Sequence, residues 1–411
     1  LIEFFLAAFL MLAIAWLFGE ALARLKQPAL VGQLFAGILV GPSILNLVQP
    51  TDALSTFANV AIFFIMFITG LNLRSKDIIE AGRNAMVLSM LAFAIPFVAG
   101  VETAAFFGLG QVPSLVVGLT LAITAVPVNS IILMEFGILD SKLGVTVITA
   151  GVINDIMSLV VLSVILQLHT DGPSATNYLG VATSVGTIAA FVGGVLLVDR
   201  IIRRNPQWLS AEFAHLKRII KARESELGFM LIFSIGVSLL AERAGLQFII
   251  GTFFAGLLLN EVIGADSLRR ANGVFSGVTF GLLAPLLFVF IGIEFVAQEL
   301  AGVLLLGGAL LVVAIVGKLA GGYSGARLAG FSSADSGTVA FLMNSRGFLE
   351  LVIATITYQL GLIDITLFSL VVAIGVITTV LSPITARLSL KRTLLESPPI
   401  GLARTRVSES S

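Results

Sequence analysis

The chain has 411 residues, 57% hydrophobic and 12% charged, with zero formal net charge. Soluble domains carry about a quarter charged residues, so a mean hydropathy of +1.06 places this chain in a bilayer, and its neutrality gives no footprint for nucleic acid. Cysteine is absent, which excludes disulfides, thiolate metal centres and redox dithiols.

About 20 apolar residues cross a hydrocarbon core. Runs of that kind between polar or Gly/Pro breaks predict an all-α polytopic membrane protein with thirteen transmembrane helices, over 1–23, 28–48, 53–73, 84–108, 113–137, 142–168, 177–199, 226–242, 246–262, 274–298, 301–326, 334–360 and 364–386. The first has no basic leader or small-residue cleavage site and reads as a retained helix, not a signal peptide. His169 and His215 read as solvated loop residues too far apart for a metal site, and no cofactor is expected. The one long polar connection, 200–225, alternates basic and apolar residues, which predicts a helix lying on the membrane surface.

If alternate loops face the cytoplasm, beginning with Arg24 and Lys26, every Lys and Arg falls on that side except Arg243 outside and Lys318 and Arg346 within spans. A bias this strong supports thirteen spans, because one missed helix would scramble it. The N-terminus is then outside, the C-terminus cytoplasmic, and 391–411 a cytoplasmic tail.

Two segments recur in order. GQLFAGILVG at 32–41 matches GTFFAGLLLN at 251–260, an offset of 219 residues, and ITGLNL at 68–73 matches FIGIEF at 290–295, an offset of 222. Matching helices stand seven spans apart, and an odd separation reverses their direction in the bilayer. The expectation is two inverted six-helix repeats joined by the seventh helix, a layout found in secondary transporters.

Such folds place their binding site at paired discontinuous helices. Thr124-Ala-Val-Pro127 lies at the centre of the fifth span, and about 220 residues on, Asn344-Ser-Arg-Gly347 lies at the centre of the twelfth. Pro127 removes a backbone donor and disfavours helix at Val126, while Gly347 loosens its own turn. The freed backbone groups need protein, water or an ion.

Three charged residues fall near mid-span: Asp155, Lys318 and Arg346. A charge at the bilayer centre costs about 2.5–3.5 kcal/mol on insertion scales, so each should face a partner or a cavity, and the default reading is functional. Glu350 stands one turn after Arg346 and is placed to pair with it. Glu3, Glu20, Glu102, Glu135, Glu294 and Glu299 read as acids nearer the span ends.

Desolvation and a neighbouring cation act on a carboxylate in opposite senses, so Asp155 is suited to hold either a proton or a hard monovalent cation, one at a time. Thr124 Oγ, the Asn154 side-chain oxygen and released carbonyls would complete an oxygen shell. Arg346 with Glu350 would compensate the negative ends of the broken helices. Competition for one carboxylate exposed alternately to the two sides is sufficient for cation/proton exchange.

AITAVPVNSIILMEFGILDSKLGVTVITAGVINDIMSLVVL at 122–162, GKLAGGYSGARLAG at 317–330 and NSRGFLELVIA at 344–354 resemble the cation/proton antiporter superfamily, in particular its second branch of bacterial sodium/proton antiporters and Kef-type potassium efflux systems. The resemblance implies a homodimer in the inner cell membrane and an elevator-like movement of a core domain with crossed helices against a dimerisation domain. Asp155 would be the residue carrying ion and proton. On this reading 1–83 holds helices 1–3 of the dimerisation side, 84–168 core helices 4–6, and 169–225 the linker helix and surface segment. Helices 8–10 occupy 226–300, and core helices 11–13 occupy 301–390. By position Asn154 matches the first acid of the family's Asp-Asp pair, and Lys318 the lysine that partners that acid in electrogenic members.

Asn-Asp members tend toward electroneutral exchange, and one carboxylate favours one cation for one proton. Lys318 pairing with Asp155 in the empty state would restore electrogenicity, so both stoichiometries stay open, with the electroneutral one preferred. The transported cation would be Na+, K+ or Li+. A Kef-like potassium efflux system or a sodium-coupled symporter of similar fold is the alternative, though the short stretch after the last span leaves no regulatory nucleotide-binding domain. A channel would need a carbonyl-lined filter, and a hydrolase would need a second acid or a nucleophile with its base. Neither is found, and the chain reads as a transporter, not an enzyme.

Overall fold

The computed structural model describes residues 2–25, 27–72, 82–139, 141–170, 223–243 and 248–396, with isolated positions between 186 and 197. Most of the predicted seventh span and nearly all of the 200–225 surface segment lie outside the described residues, whose regular structure is helical with no strand.

The helices are α1 (Ile2–Arg24), α2 (Ala29–Val40), α3 (Asp52–Leu71), α4 (Gly82–Phe106), α5 (Gln111–Ala122), α6 (Val126–Glu135), α7 (Lys142–Thr170), α8 (Arg223–Arg243), α9 (Phe248–Val262), α10 (Ala265–Val278), α11 (Ala284–Glu294), α12 (Leu304–Leu328), α13 (Ser333–Met343), α14 (Phe348–Gln359) and α15 (Ile365–Glu396). Seven stretches of them are long and apolar enough to cross a membrane unaided. Helix α2 stops at Val40, short of the predicted 48, where Gly41 turns the chain. His169 belongs to the last turn of α7, not to a loop.

Starts and irregularities follow from local chemistry. The Ser332 hydroxyl accepts the Asp335 N–H at 3.1 Å and donates to the Asp335 carboxylate at 2.7 Å, capping α13. Thr51 caps α3 by accepting from Leu54 N. A π-helical turn at Thr279–Leu283 joins α10 to α11. It ends two residues before Pro285, which has no N–H to offer the carbonyl four residues back and displaces it with its ring.

Packing divides the helices into two groups. In one, α3 lies on α9, α2 on α1 and α11, and α8 on α9; in the other, α4 lies on α5, α7 and α12, α13 on α12 and α15, and α14 on α15. Lipid tails are as apolar as leucine, so close backbone approach drives such packing. Two pairs of glycines provide it in the first group. A Cβ on Gly37 would strike Val289 O and crowd the Gly292 Cα, and one on Gly256 would strike Phe67 O and crowd Gly70. Gly37 and Gly256 are matched positions of the sequence repeat, as are Gly70 and Gly292. Each matched helix therefore meets the other half of the chain in the same way.

In the second group, Gly317, Gly321 and Gly325 form a ridge four residues apart on α12. Cβ atoms there would lie 3.1 Å from Pro96 Cα, 2.9 Å from Ala92 Cα and 2.9 Å from Leu88 Cα, all on α4. That ridge brings Lys318 against the α4 backbone. The groups meet where α15 touches α2 and a 3-10 turn over Ala297–Val303 leads from α11 into α12.

Candidate functional site

Two pairs of helices are each separated by a short non-helical break. Helix α5 ends at Ala122 and α6 starts at Val126, with Pro127 at its second position; α13 ends at Met343 and α14 starts at Phe348, after Gly347. Each half-helix has 10–12 residues, about 15–18 Å at 1.5 Å per residue, or half a hydrocarbon core. The breaks lie against each other. Ala125 donates its N–H to Ser345 O at 2.8 Å, and a Cβ on Gly347 would lie 2.7 Å from the Ala125 Cβ, a contact only glycine permits.

The last carbonyls of α5 have lost their helical donors, and two buried cations supply replacements. Arg346 Nη1 donates to Thr120 O at 3.0 Å, and Nη2 donates to Leu121 O at 2.8 Å. Lys318 Nζ donates to Ala122 O, to Ala92 O at 3.1 Å and to the Thr124 hydroxyl at 2.6 Å. An ammonium has three protons, so these three oxygens use all of them. Both side chains are fully buried and sit at the negative end of the α5 dipole. Arg346 also binds Glu350 Oε1 at 2.9 Å, a buried ion pair.

The C-terminus of α13 is held by neutral groups instead. Ser345 N–H donates to Leu342 O at 3.0 Å, Thr124 Oγ to Met343 O at 3.4 Å, and Ser382 Oγ to Asn344 O at 2.7 Å. Ser345 Oγ lies 2.7 Å from Asn129 Oδ1 and 2.8 Å from Leu342 O and gives its single proton to one of them.

Helix α7 lies beside this junction, with Gly151 against Val126 at the start of α6. One turn on, Asn154 and Asp155 are buried, at 0% and 7% exposure. Neither side-chain atom of Asn154 has a hydrogen-bond partner, and neither does Asp155 Oδ1. Asp155 is within electrostatic reach of Lys318, but the protons of Lys318 are spent on Ala92 O, Ala122 O and Thr124 Oγ. Buried amides and carboxylates in native proteins are nearly always satisfied. Unpartnered oxygens on consecutive residues beside a helix break are therefore suited to a small cation, and Asp155 also to a proton.

Asp155, Asn154, Thr124, Lys318, Arg346, Glu350 and Gly347 thus lie at or beside one junction, and Pro127 opens α6 there. Sequence reasoning passed over Asn129, Ser345, Ser382 and the Ala92 carbonyl. Ser345 was accessible through its offset of 220 residues from Ala125, whereas Ser382 and Ala92 O act only through tertiary packing. Among the described residues no group of three or more His, Asp or Glu is arranged to hold a metal ion.

The family described as "Sodium/hydrogen exchanger, transmembrane" matches residues 8–392. The chain belongs to that family. It is 29% identical to a Na(+)/H(+) antiporter of Enterococcus hirae over 88% of its own length and 91% of that protein. It is 25% identical to the Na(+)/H(+)-K(+) antiporter GerN of Bacillus cereus, with 93% and 95% covered. Its fold is similar to that of the sodium proton antiporter MjNhaP1 from Methanocaldococcus jannaschii, at a TM-score of 0.69 and 17% identity, covering 96% of this chain and 99% of that one. The chain is accordingly a multi-pass membrane transporter.

Proposed function

We propose that the chain exchanges a monovalent cation, Na+ or K+, for a proton at Asp155. The observation that carries this reading is the buried pair Asn154–Asp155, with unpartnered oxygens beside two half-helices. A dehydrated cation needs several oxygens, one of them charged. Asp155 supplies the charge and Asn154 Oδ1 a neutral oxygen. Thr124 Oγ gives one lone pair to Lys318 and has a second to offer the cation as a third ligand. Protonation of Asp155 removes the charge and releases the cation, so binding of the two is mutually exclusive.

Stoichiometry follows from the count of groups that change charge. Lys318 spends its protons on Ala92 O, Ala122 O and Thr124, and Arg346 is neutralised by Glu350, so Asp155 alone cycles. One cation for one proton moves no net charge. The names of the E. hirae and B. cereus relatives support Na+ with K+ as a second substrate.

The packing groups supply the moving parts. Helices α4–α7 and α12–α15 form the core that carries the ion, and α1–α3 with α8–α11 form the scaffold, which holds the homodimer in the lipid. The crosswise glycine contacts, Gly37 on Gly292 and Gly256 on Gly70, support two inverted six-helix repeats within thirteen spans. The core shifts relative to the scaffold in an elevator-like step, exposing Asp155 first to one side and then to the other. The protein serves pH and cation homeostasis across the cell membrane, with its N-terminus outside.

The test is a pH-sensitive dye in proteoliposomes during Na+, K+ or Li+ addition, repeated with the membrane potential clamped. The same exchange rate at every potential supports the one-for-one reading. A rate that follows the potential contradicts it, and uptake without proton counterflow contradicts antiport itself.

A further inference from the structure

We propose that Pro96 is a positioning residue for the exchange: by removing one backbone donor it turns the Ala92 carbonyl into an acceptor that holds Lys318 off Asp155. The inference rests on the antiport reading for the role of Asp155 and on independent geometry for the role of Pro96.

Pro96 is buried inside α4, well away from both ends of the helix. A proline there has no N–H for the carbonyl four residues back and crowds that carbonyl with its ring. The carbonyl is that of Ala92, and its replacement donor comes from another helix, because Lys318 Nζ of α12 reaches it at 3.1 Å. A buried carbonyl without a partner is costly, so the proline and the ammonium answer each other. With an N–H at position 96 the oxygen would be shared between α4 and Lys318, and the tether would weaken.

Packing fixes the arrangement from two sides. A Cβ on Gly317 would lie 3.1 Å from Pro96 Cα and 3.2 Å from its Cβ, so the proline sits against the residue just before Lys318. From α5, a Cβ on Gly118 would lie 2.6 Å from Phe97 O, and one on Gly100 of α4 would lie 3.0 Å from Gly118 Cα. Helix α4 is thus clamped between α12 and α5 around Pro96, and the carbonyls of Ala92 and Ala122 converge on one ammonium. One is the true end of a helix, and the other is freed within a helix by the proline.

The tether decides what Lys318 does to the ion site. Asp155, Arg346 and Glu350 all act on Lys318 electrostatically, but Arg346 and Glu350 are bonded to each other at 2.9 Å. Asp155 Oδ1 has no partner, so a released ammonium turns to it. An incoming cation would then have to displace Lys318 as well as the proton. Pro96 keeps the lysine out of that competition.

The test is calorimetric titration of the purified full chain with NaCl at one alkaline pH, as a cycle of substitutions at 96 and 318. Pro96→Ala keeps the Cα and Cβ that Gly317 lies against and restores the N–H. It should raise the Kd for Na+ about tenfold, the scale of one hydrogen bond to a charged group. Pro96→Ser restores the N–H and adds a hydroxyl able to bond the same carbonyl, so its Kd should rise at least as far. Lys318→Gln keeps two donors for the carbonyls without the charge, and in that background Pro96→Ala should change the Kd less than about twofold. A kink with only a structural role would shift the Kd equally in both backgrounds. That result, or an unchanged Kd in Pro96→Ala and Pro96→Ser, overturns the role of Pro96 and leaves the antiport reading intact. Cation uptake without proton counterflow by the wild-type protein overturns the antiport reading instead, while the binding cycle still decides the role of Pro96.

Discussion

The ammonium of Lys318, on α12, donates to the hydroxyl of Thr124, in the break between α5 and α6, at 2.6 Å. With the carbonyls of Ala92 and Ala122 as its other acceptors, Lys318 behaves as a tethered cation held by oxygens. Replacement by methionine leaves those oxygens buried and unpaired. Thermal unfolding of Lys318→Met in detergent should register a loss on the order of 3 kcal/mol, and exchange by this variant, where it folds, should stay insensitive to voltage.

Thr124 links both breaks, since it accepts from Lys318 and its Oγ lies 3.4 Å from Met343 O. Thr124→Val preserves shape and deletes the hydroxyl. Stability should fall by only about 1 kcal/mol, whereas the KM for the cation should rise by considerably more than Thr124→Ser causes. Equal KM values for valine and serine would exclude Thr124 as a ligand.

Arg346 and Glu350 form a fully buried pair at 2.9 Å. Breaking such a pair from one side costs about 3–5 kcal/mol, because the other charge is stranded. Glu350→Gln should therefore destabilise strongly, and so should Arg346→Met. The double variant Arg346→Met/Glu350→Leu should be less destabilised than the sum of the single variants, measured as a double-mutant cycle on unfolding free energies.

Asn154 carries two unpartnered polar atoms beside Asp155. Asn154→Asp adds a second carboxylate, and two carboxylates in one crevice bind more than one proton per cycle. Exchange should then respond to membrane potential, as followed with the dye assay under ionophore clamp.

How far these features are legible in the sequence depends on how local their causes are. Long apolar runs announce α3, α4, α7 and α15, because hydrophobic length alone decides a span. The interruptions at 123–125 and 344–347 lie beside Pro127 and Gly347, residues whose backbone chemistry breaks helices wherever they stand. The acceptors of Lys318 are different in kind. Two of them are backbone carbonyls that any residue would offer, placed only by the glycine ridge of α12 against α4. Ser382 likewise reaches Asn344 O across 38 positions through the packing of α15 on α13, and no motif signals that contact. The early end of α2 at Val40 leaves no mark in hydropathy, because most residues after Gly41 remain apolar while their backbone turns.

Proton and cation competing for Asp155 fix the sign of the pH response. A protonated carboxyl cannot hold a cation, so the apparent KM should rise as pH falls, approaching about tenfold per pH unit where the protonated form dominates. Initial rates across pH at several Na+ concentrations measure this, and a KM independent of pH would argue for separate proton and cation sites.

Exchange by Asp155→Asn in proteoliposomes, with its thermal unfolding recorded alongside, decides most directly whether Asp155 carries both ions. A folded protein with no cation-driven proton movement for Na+, K+ or Li+ is the expected result. Proton counterflow at the wild-type rate in that variant would contradict it.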